Sequence, residues 1–163
     1  METIYDKFIY NMPLLVEKLS VNKIGVSELM RLRNYTIKEN MEEMTCRPII
    51  SQTTHEALKS YNTLLNNDRV LILSVFFKEK LIGKITFSDY NLRNQSMELG
   101  YYMIPEYRNR GLMKRALTTT ITKLFTDSNI NKIYAQTGEF NILSCKILTS
   151  LGFHLDGILR EHQ

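Results

Sequence analysis

Tyr102-Met103-Ile104-Pro105-Glu106-Tyr107-Arg108-Asn109-Arg110-Gly111-Leu112-Met113-Lys114-Arg115-Ala116-Leu117 is the stretch in which a strand pattern runs out at a proline and a basic, glycine-containing turn opens a helix. Four cations, Arg108, Arg110, Lys114 and Arg115, crowd around Gly111. The first N–H groups of a helix lack intrahelical partners and carry the positive end of its dipole, so an anion there meets backbone donors and side-chain charge together. Such a turn can hold phosphate. From Leu112 the apolar positions Leu112, Met113, Ala116, Leu117, Ile121 and Leu124 keep helical spacing. A surface-charged amphipathic helix has the same pattern, so the flanking sequence must decide.

Upstream, Ser96 to Met103 reads as the third strand of an antiparallel meander. The first two, Arg69 to Lys78 and Lys80 to Tyr90, are β-branched and aromatic runs split by Lys78-Glu79-Lys80, which reads as a hairpin turn. Before the meander come two helices. One is expected from about Lys23 to Asn34 with Asn22 as its cap, the other from Thr53 or Thr54 to the Asn66-Asn67-Asp68 turn. Leu14 to Leu19 reads as a single first strand, and Met1 to Tyr10 has no clear period. Thr36 to Ser51 reads as a helix end followed by a loop of the kind that often shapes a substrate site.

Downstream of the Leu112–Phe125 helix, Asn131 to Gln136 is a short strand. A strand, helix and strand in succession make a β-α-β unit with parallel strands. Asn141 caps another helix, Gly152 supplies its left-handed stop, and Phe153 to Leu159 is expected to begin a final strand.

At 163 residues and 44% apolar content the chain has the size of one domain, 1–163, with a substantial core. A net charge of +4 suits an anionic ligand, but the cations outside 108–115 are spread along the chain, so no nucleic-acid partner is expected. Cys46 and Cys145 are too few for a disulfide framework and lack metal-ligand spacing, and His55, His154 and His162 are scattered. A reducing cytoplasm without metal is the expectation. The longest apolar run, Val70 to Phe77, is far short of the ~20 residues of a membrane span, so no membrane partner is expected.

With this element order come Glu98-Leu99-Gly100-Tyr101, Arg108-Asn109-Arg110-Gly111, Asn141-Ile142-Leu143-Ser144 and Leu151-Gly152-Phe153. In that order and spacing, from about Leu14 to Arg160, the chain resembles the GNAT family of acetyl-CoA-dependent N-acetyltransferases. The likeness is greatest to the branch that acetylates the N-terminal amines of ribosomal proteins. The resemblance implies an α/β (α+β) fold with a mixed, mostly antiparallel sheet of about six strands and about four helices. It also implies acetyl-CoA as cosubstrate. Its Arg/Gln-x-x-Gly-x-Gly/Ala turn, which grips the coenzyme A pyrophosphate, falls on Arg108 to Met113, with Asn109, Arg110, Gly111 and Leu112 between them; Met113 replaces the usual small residue. The family splays its fourth and fifth strands around pantetheine, which assigns contacts to Met103 and Ile104. Pro105, without an N–H, fits the end of strand pairing.

Acyl transfer to an amine requires a neutral nucleophile, a donor to the oxyanion and a proton for the departing thiolate. At ~100° per residue, Ser144, Cys145 and Leu148 share a helix face with Asn141. Many members of the family carry an acidic tyrosine seven residues after the equivalent asparagine, where this chain has Leu148. The resemblance therefore points to Asn141 for pantetheine and Ser144 as proton donor and cofactor contact, against the plainer reading of an N-cap and an ordinary hydroxyl. Glu98 is the expected base, on a strand face with Gly100 and Tyr102, or else a carboxylate that only pairs with its neighbours. Glu42, Glu43 and Asp89 stand in reserve, Cys145 reads as a core thiol, and Tyr101 and Tyr102 read as sheet packing.

The family pattern continues past its Gly-Phe strand, whereas this sequence stops at Gln163. Either the last strand is missing, or a partner chain, such as a second copy in a homodimer, or the N-terminal segment covers the edge. The acceptor is expected to be a primary amine, on a protein N-terminus or a small molecule. The rivals are a non-catalytic acyl-CoA-binding regulatory module and a nucleotide- or RNA-binding domain using the basic turn.

Overall fold

The computed structural model describes residues 12–39 and 52–158. Six strands form one sheet in sequence order: β1 Leu14–Val16, β2 Leu19–Lys23, β3 Leu71–Phe77, β4 Lys80–Asn91, β5 Ser96–Met103 and β6 Lys132–Tyr134. Neighbours pair antiparallel except β5 and β6, which are parallel. The helices are α1 Val26–Lys38, α2 Thr54–Leu65, α3 Leu112–Asp127 and α4 Ile142–Ser150, with a short 3-10 turn at Pro105–Tyr107. The expected fold class and the parallel β-α-β unit are found. Of the segments read from sequence, Met1 to Tyr10, Glu42, Glu43, Cys46, Leu159, Arg160 and His162 lie outside the described residues.

Three expectations are corrected. The first strand is two, because the chain turns back at Glu17, whose φ of 53° is left-handed, so that Leu14 opposes Val21. The helix expected from Lys23 starts at Val26, because β2 extends through Lys23 to pair with Leu73. Its cap is Gly25, whose N–H donates to Glu28 Oε1 at 2.9 Å, and Asn22 stays in the strand. Lastly, Phe153–Ile158 forms no strand; the sixth strand comes from the N-terminal hairpin instead.

The other ends follow their local chemistry. Thr53 and Glu56 close a reciprocal capping box on α2 through bonds of 2.9 and 3.2 Å. Asn141 Oδ1 accepts from the Ser144 N–H at 3.1 Å to cap α4, and Gly152 stops it at φ 92°.

The sheet's two faces differ sharply. Cross-strand partners share a face, and the register puts Val75, Leu73, Ile85, Phe87, Met97, Leu99 and Ile133 on one side. Phe87, Ile85, Leu73, Val75 and Met97 are fully buried there, each contributing roughly 1.5–3 kcal/mol of apolar transfer. The opposite face carries Asn22, Ser74, Lys84, Thr86, Ser88, Glu98, Gly100 and Tyr102.

Gly83 is required where β4 meets β5. A Cβ there would lie 2.3 Å from the Tyr102 carbonyl oxygen, a backbone atom that cannot swing aside. Close approach of these strands fixes the course of β5 into the basic turn.

Candidate active site

The site grows from the C-terminal half of β5. β6 pairs with it only over Ser96–Glu98, yet β5 runs on to Met103 alongside β4. From Leu99 onward its other edge has no strand partner among the described residues. A slot therefore opens between β5 and β6, lined by backbone N–H and C=O groups that can pair with an extended ligand. This is the splay of fourth and fifth strands that the resemblance implies, with the N-terminal hairpin counted once.

At the end of β5 the Ile104 N–H returns to the Ile82 carbonyl at 2.8 Å, and Pro105 starts the 3-10 turn. Asn109 and Gly111 then adopt left-handed backbone, φ 64° and 72°. Gly111 is the N-cap of α3 without a side-chain cap bond, and the first return bond is Arg115 N–H to Gly111 C=O at 3.1 Å. The N–H groups of Leu112, Met113 and Lys114 thus face the turn without intrahelical acceptors. Leu112 and Met113 bury their side chains, so the bulk of Met113 goes to the core.

The cations of the turn are not alike. Arg108 donates through Nε to the Met103 carbonyl at 2.9 Å and through both terminal nitrogens to Glu39, at 2.9 and 3.0 Å. It lies over the Tyr102 ring, whose hydroxyl also donates to Glu39. Burial alone would raise the Glu39 carboxyl, but the bonds from Arg108 and Tyr102 and the guanidinium charge outweigh it and hold its pKa below 4.5. Burial and the Glu39 contact push the Tyr102 phenol well above the usual range. Arg108 is thus a clasp joining the turn to the end of α1, a partner hidden in a segment that showed no readable motif. Arg115 pairs with exposed Glu17 at 2.5 Å, and Arg110 stacks over Tyr107 with 5.4 Å to the ring centroid.

Across the slot, α4 presents Ser144, which is 9% exposed, with Asn141 beneath it. Its Oγ is 2.6 Å from the Tyr101 hydroxyl, and either atom can donate. Burial raises the Tyr101 phenol despite the opposing bond from Ser144, so both groups stay protonated at neutral pH. Leu148 is buried, leaving no phenol from that position. Cys145 is half-buried and free.

Alternation along β5 sends the adjacent tyrosines to opposite faces, Tyr101 to Ser144 and Tyr102 to Glu39. Glu98, 8% exposed, shares the face of Tyr102 and is not beside Ser144. The structure thus gathers Met103, Ile104 and Arg108 to Met113 at one end of the slot. It puts Asn141 and Ser144 on one side and Glu98 on the other. The reserve residue Asp89 lies near the far end of β4 with left-handed backbone. Reading the tyrosines as packing missed the hydroxyl contacts, which strand alternation alone does not reveal. Among the described residues, no group of three His, Cys, Asp or Glu could hold a metal, and no helix is long and apolar enough to cross a membrane.

The model of the acetyltransferase (GNAT) domain matches residues 24–154. The chain is similar to the uncharacterized N-acetyltransferase p20 of Bacillus licheniformis, 27% identical over 155 residues, 92% of this chain and 86% of that protein. Its fold is similar to that of the ribosomal-protein-S5-alanine acetyltransferase from Vibrio fischeri, with TM-score 0.74 and 24% identity over 90% of this chain and 85% of the other. The spermidine N-acetyltransferase from Vibrio cholerae, solved with CoA and spermine, gives TM-score 0.78 and 20% identity over 87% and 84%.

Proposed function

The chain belongs to the GNAT acetyltransferase family, and on that premise we propose that it moves an acetyl group from acetyl-CoA directly to a primary amine. The observation that carries the reading is the parting of β5 from β6 in line with the uncapped, glycine-led start of α3. A slot with exposed strand edge suits an amide-bearing arm, and donors at its end suit a pyrophosphate. In this reading the backbones of Met103, Ile104 and Asn109 to Met113 hold acetyl-CoA, with charge from Arg110 and Lys114. Arg108 contributes mainly by fixing the turn, since its guanidinium is committed to Glu39.

In acyl transfer the attacking nitrogen and the leaving sulfur occupy different corners of one carbon, so acid and base are wanted on different sides. Ser144 and Glu98 lie on opposite faces of β5, which supports that division of labour. Glu98 takes the proton of the substrate ammonium, directly or through water. The amine nitrogen then bonds to the acyl carbon as the carbon–sulfur bond breaks. Ser144 Oγ–H gives its proton to sulfur, and the Tyr101 hydroxyl restores it. Asn141 holds the first turn of α4 so that Ser144 points into the slot.

Calorimetric titration of the protein with acetyl-CoA should show a single saturable site. Absence of both heat and thermal shift at micromolar protein contradicts the proposal. Binding without thiol release over a broad amine panel would instead favour a non-catalytic acyl-CoA-binding module, the reading suggested by Leu148 in place of tyrosine.

A further inference from the structure

Lys84 stands in an unusual setting for a lysine. It is half-buried in the middle of β4, with Ser74 of β3 on one side and Tyr102 of β5 on the other, on the sheet face that also carries Thr86, Ser88 and Glu98. Among the described residues no carboxylate forms an ion pair with it. The acid that approaches its neighbour Tyr102, Glu39, is occupied by Arg108. Burial lowers the Lys84 pKa without any charge partner to offset it. An ammonium held in this way is costly unless an anion joins it.

The floor beside it is open. Gly100 is the diagonal neighbour of Lys84 across the strands and has no side chain, and a Cβ built there would meet only Thr86 Cβ, at 4.0 Å. Diagonal pairs lie roughly 7–8 Å apart, within the length of a lysine side chain. Gly100 belongs to the part of β5 that borders the slot, between Glu98 and the start of the turn. A ligand resting over Gly100 would thus have Glu98 on one side and the Lys84 ammonium within reach on the other.

We propose that Lys84 recognises the acceptor: its ammonium binds a carboxylate carried close to the reacting amine, so the preferred substrate is an amine with a neighbouring acid group and not a polycation. The inference rests on the acetyltransferase reading and extends it to substrate class. A polyamine would bring more positive charge to a face where Arg108 already matches Glu39, leaving Glu98 and the uncompensated Lys84. A carboxylate supplies the missing anion, and its source is a free α-amino acid or the side chain of an acidic residue near a peptide N-terminus.

The test measures kcat/KM by thiol release from acetyl-CoA with four acceptors: glutamate, a peptide with acidic residues after its first, the same peptide with lysines there, and spermidine. The wild type should favour at least one carboxylate-bearing acceptor by about tenfold or more over spermidine and the basic peptide; glutamate against acidic peptide tells which source it is. Lys84→Met should erase that preference mainly through KM, and Lys84→Glu should shift it toward spermidine, both with acetyl-CoA affinity within a few-fold of wild type by calorimetry. Retained preference in a Lys84→Met protein that still binds acetyl-CoA overturns the assignment of Lys84 alone, as does a wild-type preference for spermidine. Failure of the wild type to bind acetyl-CoA overturns the acetyltransferase reading, and the inference falls with it.

Discussion

The two faces of β5 make a controlled comparison, because adjacent tyrosines on one strand meet different worlds. Tyr101 looks toward the apolar face and ends on Ser144, where two neutral hydroxyls share one short bond. Tyr102 looks toward the polar face and ends in a charged clasp of Glu39 and Arg108. One side is arranged to keep protons on oxygen. The other fixes charge and leaves Lys84 and Glu98 on the same surface. The sheet thus separates a donor side from a charge-reading side by the pleat alone.

The strongest way to break the comparison is to remove the donor side. Ser144→Ala should lower kcat by about 100-fold or more, the range of a lost general acid, while acetyl-CoA affinity stays within a few-fold. An unchanged kcat and an unchanged pH profile would remove Ser144 as acid. Gly83→Ala strikes both sides at once, because its Cβ collides with the Tyr102 carbonyl. A loss of about 2 kcal/mol, or roughly 5 °C in thermal midpoint, is expected by calorimetry.

Arg108→Ala tests the charged side alone. It strands Glu39 and the Met103 carbonyl, and should cost about 1–2 kcal/mol and raise the apparent constant for acetyl-CoA without a matching loss in kcat. The depressed Glu39 pKa gives a sign to check. Its contribution is fully present above about pH 4.5 and is lost as pH falls through the lower folded value. Denaturant titrations of Glu39→Gln should therefore lose less stability than wild type on acidification below that point; equal slopes would separate Glu39 from the clasp. The smallest effect is expected from Tyr101→Phe, a fall in kcat of about fivefold, the size of one lost hydrogen bond near the acid.

Much of this organisation is legible in the chain because local chemistry and tertiary need agree. Asn141 and Gly152 bound α4 by capping rules that hold anywhere, and Gly111 sits at φ 72° where a side chain would be strained. Alternation along Ser96–Met103 correctly divides Glu98, Gly100 and Tyr102 from Leu99 and Tyr101. Other features depended on partners far away in sequence. The turn at Glu17 uses a left-handed non-glycine residue, so nothing local announces the β1–β2 hairpin. Glu39 reaches Arg108 across 69 positions, and no periodicity links them. Phe153–Ile158 has strand-compatible residues but no neighbouring strand among the described residues, and without cross-strand pairs propensity alone builds none. Lys84 could have been placed by extending the alternation of β5 across its register with β4, which requires knowing that register first.

The central claim is that the slot between β5 and β6 serves acyl transfer to an amine. Initial rates of thiol release from acetyl-CoA against rising amine, wild type beside Ser144→Ala, test it most directly. The account predicts saturable, amine-dependent release, acetylated amine in equal amount, and a rate cut by about 100-fold in the variant. Release independent of amine, or equal rates in the two proteins, would contradict it.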